Sequence, residues 1–161
     1  MPTARYIQKG VVQFWLVPTI ASATLVPTTA EVNAGTRLDA QLAEINGFSY
    51  STALLDAPNM KDRLTPKEPG EDQVADSSLL FYKIKGGTDT IHAAQPKDTV
   101  AYIVVFYAGI AGATPAAADV CDVWPIRIGS RAHQYNAGNE LAKYLVVYGV
   151  TAAPGEAKAL T

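Results

Sequence analysis

Thr36-Arg37-Leu38-Asp39-Ala40-Gln41-Leu42-Ala43-Glu44-Ile45 leads into Asn46-Gly47, and Phe48-Ser49-Tyr50-Ser51-Thr52-Ala53-Leu54 leads out of it. Before the pair, Leu38, Ala40 and Leu42 alternate with Arg37, Asp39 and Gln41. After it, Phe48, Tyr50, Thr52 and Leu54 alternate with Gly47, Ser49, Ser51 and Ala53. Period two is the signature of an extended strand whose two faces meet different surroundings. Asn-Gly accepts positive φ at both turn positions, so the stretch predicts a tight hairpin with one apolar and one polar face.

The same period recurs along the chain. Val11 to Val17 reads as a strand closed by Pro18. Thr99 to Tyr107 is apolar on both faces, which predicts a central strand covered on both sides. Ser77 to Lys85, Val120 to Ile128 and Leu141 to Val150 complete the strand set, and Pro125 predicts an edge or a bulge. Between them, Pro27-Thr28-Thr29-Ala30-Glu31, ending at Gly35, carries a threonine cap, an early glutamate and a terminal glycine, the marks of a short helical turn. Asp89 to Gln95 lacks alternation and fits a second short helix stopped by Pro96. About seven strands with a minor helix predict a mainly β fold, a β-sandwich or barrel, with no second domain or internal repeat across residues 1–161.

Asp56 to Asp76 breaks the pattern. It holds Pro58, Pro66, Pro69 and Gly70, and six acidic residues against three basic ones, a net charge of −3. It is expected to be a long loop, ordered by a neighbouring subunit if at all. Ala152 to Thr161 reads as a loose tail and residues 1–10 as an N-terminal arm.

Composition narrows the function classes. The chain of 161 residues is 48% hydrophobic and only 17% charged, against about 25% charged in ordinary domains. A net charge of −2 gives no pull toward nucleic acid or anionic lipid. No apolar run approaches the ~18 residues of a membrane span. The N-terminal residues carry no signal-peptide pattern, because Gln13 and Pro18 interrupt the apolar stretch. The single cysteine, Cys121, fits folding in a reducing compartment. An apolar chain with so little charge hints at self-assembly.

No catalytic constellation emerges. His92 and His133 lie far apart in sequence, without carboxylates or cysteines at metal-ligand spacing, and read as surface or helix-end histidines. Cys121 sits within a strand and reads as a small buried hydrophobe. Glu71-Asp72 and the pair Asp119 and Asp122 read as solvated or interface charges; a hydrolase would need Asp119, Asp122 and His133 to share a pocket. Gly109-Ile110-Ala111-Gly112 lacks the Lys-Ser/Thr sequel of a phosphate cradle. Arg127, Arg131 and Lys143 near Trp124, Tyr135 and Tyr144 read as ordinary strand faces. No cofactor or metal is expected.

One resemblance covers most of the chain, from about residue 11 to 150. The run Trp15-Leu16-Val17-Pro18-Thr19-Ile20-Ala21 precedes Pro27-Thr28-Thr29-Ala30-Glu31-Val32-Asn33-Ala34-Gly35-Thr36. Ile45-Asn46-Gly47-Phe48-Ser49-Tyr50, Pro69-Gly70-Glu71-Asp72 and Asp76-Ser77-Ser78-Leu79-Leu80-Phe81-Tyr82 follow. Gly109-Ile110-Ala111-Gly112-Ala113 and Asp122-Val123-Trp124-Pro125-Ile126 close the series. Each motif is weak alone; their order and spacing resemble the major tail tube proteins of long-tailed, non-contractile bacteriophages, especially those of actinobacterial hosts.

The resemblance implies a structural virion protein without enzymatic activity. Such proteins form hexameric rings in which neighbouring sheets join into a closed β-barrel. The rings stack around a tape measure protein, with tail terminator and distal tail proteins at the ends, and phage DNA passes through the lumen without specific binding. The implied location is the virion tail tube, assembled in the host cytoplasm. On this reading Arg37, Asp39, Gln41, Glu44, Ser49 and Ser51 line the lumen. Met60, Asp62, Arg63, Lys67, Glu68, Glu71 and Asp72, in the 56–76 loop, make the ring-to-ring contact. The alternative from another class is a carbohydrate- or receptor-binding β-sandwich module with Trp124, Tyr135 and Tyr148 as its platform.

Overall fold

A computed structural model describes residues 5–61 and 63–161. Among the described residues there are ten strands and two short helices, in the order β1 (Gln13–Val17), α1 (Thr29–Asn33), β2 (Thr36–Arg37), β3 (Leu42–Asn46), β4 (Tyr50–Asp56), β5 (Lys67–Val74), β6 (Ser77–Tyr82), α2 (Thr90–Ala93), β7 (Val100–Phe106), β8 (Val120–Gln134), β9 (Lys143–Val150) and β10 (Gly155–Ala159). The fold is mainly β, as the period-two pattern predicts, and the recorded strand pairings are antiparallel.

One sheet carries the body. Its strands run β2-β1-β7-β8-β9-β6-β3, with β10 also pairing β8. The two ends of the sheet come together. Leu38 N–H donates to Phe14 O on β1, and Gln41 O accepts from Tyr82 N–H on β6. The short link between β2 and β3 therefore bridges both ends, and the sheet curls into a barrel-like wall with an opening between β1 and β3.

Alternation then explains two cores. On β7, Ala101 and Ile103 enter the inner core, while Val104 and Phe106 enter an outer one. On β1, Phe14 and Leu16 point inward and Trp15 and Val17 outward. Leu79 and Phe81 of β6, Trp124, Ile126 and Ile128 of β8, and Tyr144, Val146 and Tyr148 of β9 complete the inner core. Val32 of α1, Ile20 and Leu160 cover the outer one. The central, doubly covered strand expected at Thr99 to Tyr107 is thus β7.

The two helices form where their caps predict. Thr28 accepts from Glu31 N–H at 3.2 Å, and the Glu31 carboxylate accepts from Thr28 N–H and Ala21 N–H, each at 2.8 Å. These backbone donors, Thr28 first, hold the Glu31 carboxyl below its ordinary range. The contribution is therefore present above the ordinary glutamate pKa and is lost as pH falls through the lowered value. A five-residue helix is far too short to persist alone, so α1 depends on this box and on burying Val32. Thr28→Ala should cost about 1 kcal/mol, lowering the melting temperature by roughly 2–4 °C for a chain of this size. Calorimetry checks this.

Four expectations are corrected. Asn46-Gly47 does not close a hairpin: β3 pairs β6, and β4 pairs β5. The segment from Asp56 to Asp76 is not a loop throughout, since Lys67–Val74 forms β5. The tail is not loose. Gly155–Ala159 forms β10 against β8, Leu160 is buried, and Thr161 exchanges backbone hydrogen bonds with Thr29 and Pro27. Pro125 is also not on a sheet edge. It pairs with Tyr102 of β7, and its carbonyl accepts from Thr151 N–H on the other side. On that side the β9 ladder ends at Val150 and the β10 ladder begins at Gly155. Its missing N–H, which shares the side of its carbonyl in an extended strand, falls where no ladder partner is needed.

Candidate functional site

The pairings of β3 with β6 and of β4 with β5 are two parts of one ribbon. From Glu44–Leu80 through Asn46–Ser78 to Tyr50–Val74 and Thr52–Asp72, each step forward on one strand meets one step back on the other. Ala75 N–H donating to Ser49 O and Phe48 N–H donating to Ser77 Oγ bridge the interval. Gly47 and Phe48, both at positive φ (79° and 53°), bend this ribbon without ending it. Beyond the bend, β4 and β5 project from the body as an arm, with every β4 residue exposed.

A two-stranded ribbon alone is marginal in water, and polar clamps stiffen this one. Tyr50 Oη and Thr52 Oγ1 donate to the two oxygens of Asp72 at 2.5 and 2.6 Å. These hydroxyls, Thr52 first, hold the Asp72 carboxyl below its ordinary range, while bonding to Asp72 pushes the Tyr50 hydroxyl up. Lys67 Nζ lies 2.9 Å from Asp56 Oδ1 where the ribbon opens into its tip. Leu55 lies over Gly70, where a Cβ would come within 2.9 Å of its Cγ. Leu54 and Leu55 nevertheless remain 61% and 60% exposed, and Met60 and Leu64 in the tip are exposed as well. Apolar side chains displayed on an unsupported ribbon indicate a surface meant to be covered.

At the root of the arm lies a concavity of about 940 Å³, set in the opening between β1 and β3. Phe14, Val105 and Trp124 floor it, Leu42, Ile45 and Phe48 form one wall, and Gln8, Lys9 and Val12 form the other. Among the described residues β3 pairs only with β6, so its second edge is open toward this space.

The residues expected in the lumen divide. Arg37, Asp39 and Glu44 line the concavity, with Arg37 and Asp39 joined by a two-pronged ion pair. Glu44, bonded to Asn46, pairs across the ladder with Leu80, whereas Ile45 pairs with core residue Leu79. Glu44 therefore shows the face opposite the inner core. Ser49 and Ser51 lie beyond the bend, Ser51 on the arm itself, while the Gln41 amide, oriented by its surroundings, lies within reach of Asp89 and Tyr82 O. Of the residues expected at the ring contact, Met60 and Arg63 are in the exposed tip, and Lys67, Glu68, Glu71 and Asp72 are on β5. Asp62 lies outside the described residues, as do residues 1–4 of the expected N-terminal arm; from the rest of that arm, Tyr6 Oη donates to Tyr107 O.

The competing chemistries do not assemble. Asp122 and His133 lie on the same strand eleven positions apart, roughly 35 Å at the strand rise. Asp119 and Asp122 instead accept backbone N–H groups of Ala116 and Ala157. Burial pushes the Cys121 thiol up to about 12, so it stays protonated. The proposed aromatic platform is dismantled, since Trp124 and Tyr148 are 7% and 2% exposed and only Tyr135 is open. Tyr148 donates to the buried amide of Gln95. The histidines, remote in sequence, stack at 5.6 Å beside Tyr144, with Arg131 donating to His92 O. Partial burial, then Arg131 and His133, push the His92 imidazole below its ordinary range. Among the described residues no group of three or more His, Cys, Asp or Glu could hold a metal ion. Likewise no described helix is long and apolar enough to cross a membrane.

Three solved chains of similar fold come from a prophage baseplate and from a contractile injection system. The chain matches a chain in the cryo-EM structure of the anti-feeding prophage baseplate, six-fold symmetrised, with TM-score 0.59 and 8% identity over 96% of this chain and 97% of the other. It matches a chain of the sheath/tube terminator of the extracellular contractile injection system PVC with TM-score 0.61 and 12% identity, covering 94% and 98%. A chain of the sheath-tube complex of that system matches with TM-score 0.52 and 11% identity, covering 95% and 92%. At such identities the likeness is one of fold. No curated protein matches the sequence significantly. The sequence profile described as phage tail tube protein, however, matches residues 1–161, the whole chain. The chain therefore belongs to the phage tail tube protein family, and its role is that of a structural tail component rather than an enzyme.

Proposed function

We propose that the chain is the tube subunit of a long, non-contractile phage tail, polymerising as stacked hexameric rings. The observation that carries this reading is surface area. A compact monomer of 17.1 kDa exposes about 7,800 Å², whereas this chain exposes 10385 Å². The excess, about 2,600 Å² on the same scaling, is of the size that permanent protein–protein interfaces bury. It belongs with a projecting arm, an open strand edge and displayed leucines, all of which a free monomer would avoid.

In the ring, neighbouring sheets continue one another into a closed barrel, which removes their open edges. The polar strip from Arg37 to Ser51 faces the channel, with Arg37, Asp39 and Glu44 at the concave end. One positive and two negative charges make that wall hydrophilic and weakly acidic. Duplex DNA, densely negative, passes such a wall without the counterion-releasing contacts that a lysine-rich wall would form. The arm makes the ring-to-ring contact. The tape measure protein occupies the lumen before DNA does, the terminator and distal tail proteins close the ends, and assembly occurs in the host cytoplasm. The neighbours with solved structures are named as baseplate, tube-terminator and sheath-tube components, one of them six-fold symmetrised, which supports a ring-forming, tube-building role.

Sedimentation velocity of the purified protein tests this. Fast-sedimenting polymers, increasing with protein concentration, are expected; a single slow monomer at every concentration would overturn the proposal.

A further inference from the structure

We infer that the stacked imidazoles of His92 and His133 form a proton-operated latch on α2, closed while His92 is neutral and released when it takes up a proton. α2 has four residues, too few to persist alone, so its seat on the sheet decides whether it forms. Ile91 is its buried anchor in the inner core. The rest of the seat is polar or aromatic. Asp89 Oδ1 accepts from His92 N–H at 3.0 Å and caps the start of the helix. From β8, Arg131 Nη1 donates to His92 O at 3.0 Å, and the His133 ring stacks on the His92 ring at 5.6 Å with 18° between their planes. From β9, the Tyr144 ring stands nearly perpendicular to that of His92 at 5.0 Å.

The charges that face His92 are unequal. Partial burial, then Arg131 and His133 on β8 and, more weakly, Lys83 just beyond β6, oppose a proton on its ring, while Asp89 at the cap favours one. Tyr144 stays neutral, because burial pushes its hydroxyl up. The seated helix therefore prefers a neutral His92, and lifting the helix restores the ordinary affinity of the ring for protons. Linkage then gives the sign. The seat is at full strength above the ordinary histidine pKa and weakens as pH falls from there toward the lowered value.

The latch reaches beyond α2. Asp89 Oδ1 also accepts from Gln41 Nε2 at 3.3 Å, and Gln41 O accepts from Tyr82 N–H at 2.9 Å. Gln41 lies in the link that bridges the two ends of the sheet, so lifting α2 withdraws the Asp89 contact from that link. A proton on one helix thus loosens the closure of the wall. The latch belongs to the single subunit, whether or not subunits polymerise.

Hydrogen exchange of the dilute full-length chain at pH about 7.5 and about 5.5, read by mass spectrometry and corrected for the intrinsic pH dependence of exchange, tests the latch. The Ala93 and Ala94 amides donate to Asp89 O and Thr90 O, and the Tyr82 amide donates to Gln41 O. Peptides holding these amides should lose protection at the lower pH by up to about tenfold, the ceiling one unit below the ordinary histidine value. Peptides from β7 should not change. His92→Phe keeps an aromatic ring and removes the proton site, so its protection should be the same at both pH values. Arg131→Gln keeps a donor for His92 O without the charge; it should shrink the loss, and it serves if the first variant does not fold. The latch would be overturned by no loss in the wild type, by an equal loss throughout β7, or by variants that lose as much as the wild type.

Discussion

Replacing residues 53–71 with Asn-Gly should leave a subunit that folds and cannot polymerise. Thr52 and Asp72 are ladder partners, so a two-residue turn of type I′ joins them without disturbing the register. The replacement removes Leu54, Leu55, Met60 and Leu64, all largely exposed, and none of the residues that build the two cores. The melting temperature should therefore move by only a few degrees, because surface changes seldom exceed about 0.5 kcal/mol each. Assembly, in contrast, should fall from tubes to monomer, because in the proposed tube each subunit would lose its axial contact with the next ring. Circular dichroism and sedimentation separate the two effects. Normal tubes from the shortened protein would show that the arm is not the ring contact.

Gly47→Ala should damage both stability and assembly. Gly47 has φ +79°, and a Cβ there would lie 2.2 Å from Asp76 O and 2.7 Å from Ser77 Cα. Both are backbone atoms on the paired strand, so neither can swing aside. Positive φ alone costs roughly 1–2 kcal/mol for a residue with a Cβ, and parting the ribbon at the bend adds to this. A total of about 3 kcal/mol or more corresponds to a melting temperature lower by roughly 6–12 °C. Gly86→Ala is the control: φ is +85°, yet nothing lies within 4 Å of the added carbon. Its cost should be the conformational part alone, roughly 2–8 °C by the same conversion. Because Gly47 also aims the arm, tubes should be lost at temperatures where Gly47→Ala is still folded. Equal melting temperatures for the two variants would remove the clash from the explanation.

The difference between sequence and structure follows one physical line. β1, β7 and the helix caps were legible because their determinants are local: continuous apolar runs in the first two, a Thr28–Glu31 box in the third. Asn46-Gly47 announces positive φ, and Gly47 has it, but which strands then pair is set by partners some thirty residues away. β5, with the sequence Lys-Glu-Pro-Gly-Glu-Asp-Gln-Val, carries no hydrophobic period because neither face is buried within the subunit. β10 is equally polar, and only Leu160 beyond it marks where the chain docks. The concavity and the stacked histidines join segments distant in sequence, which no local pattern encodes. Negative charge in the region from Asp56 to Asp76 was visible, and part of it now has a structural role in the Asp72 clamp and the Asp56–Lys67 pair.

The measurement that bears most directly on the polymer is cryo-EM of assemblies grown from the purified wild-type protein. The result expected is a hollow tube of six-subunit rings, with the polar strip from Arg37 to Ser51 on the channel wall and the arm of each subunit crossing into the next ring. Isolated subunits at all concentrations, or a polymer with the arms free in solvent and Arg37, Asp39 and Glu44 remote from the channel, would contradict it.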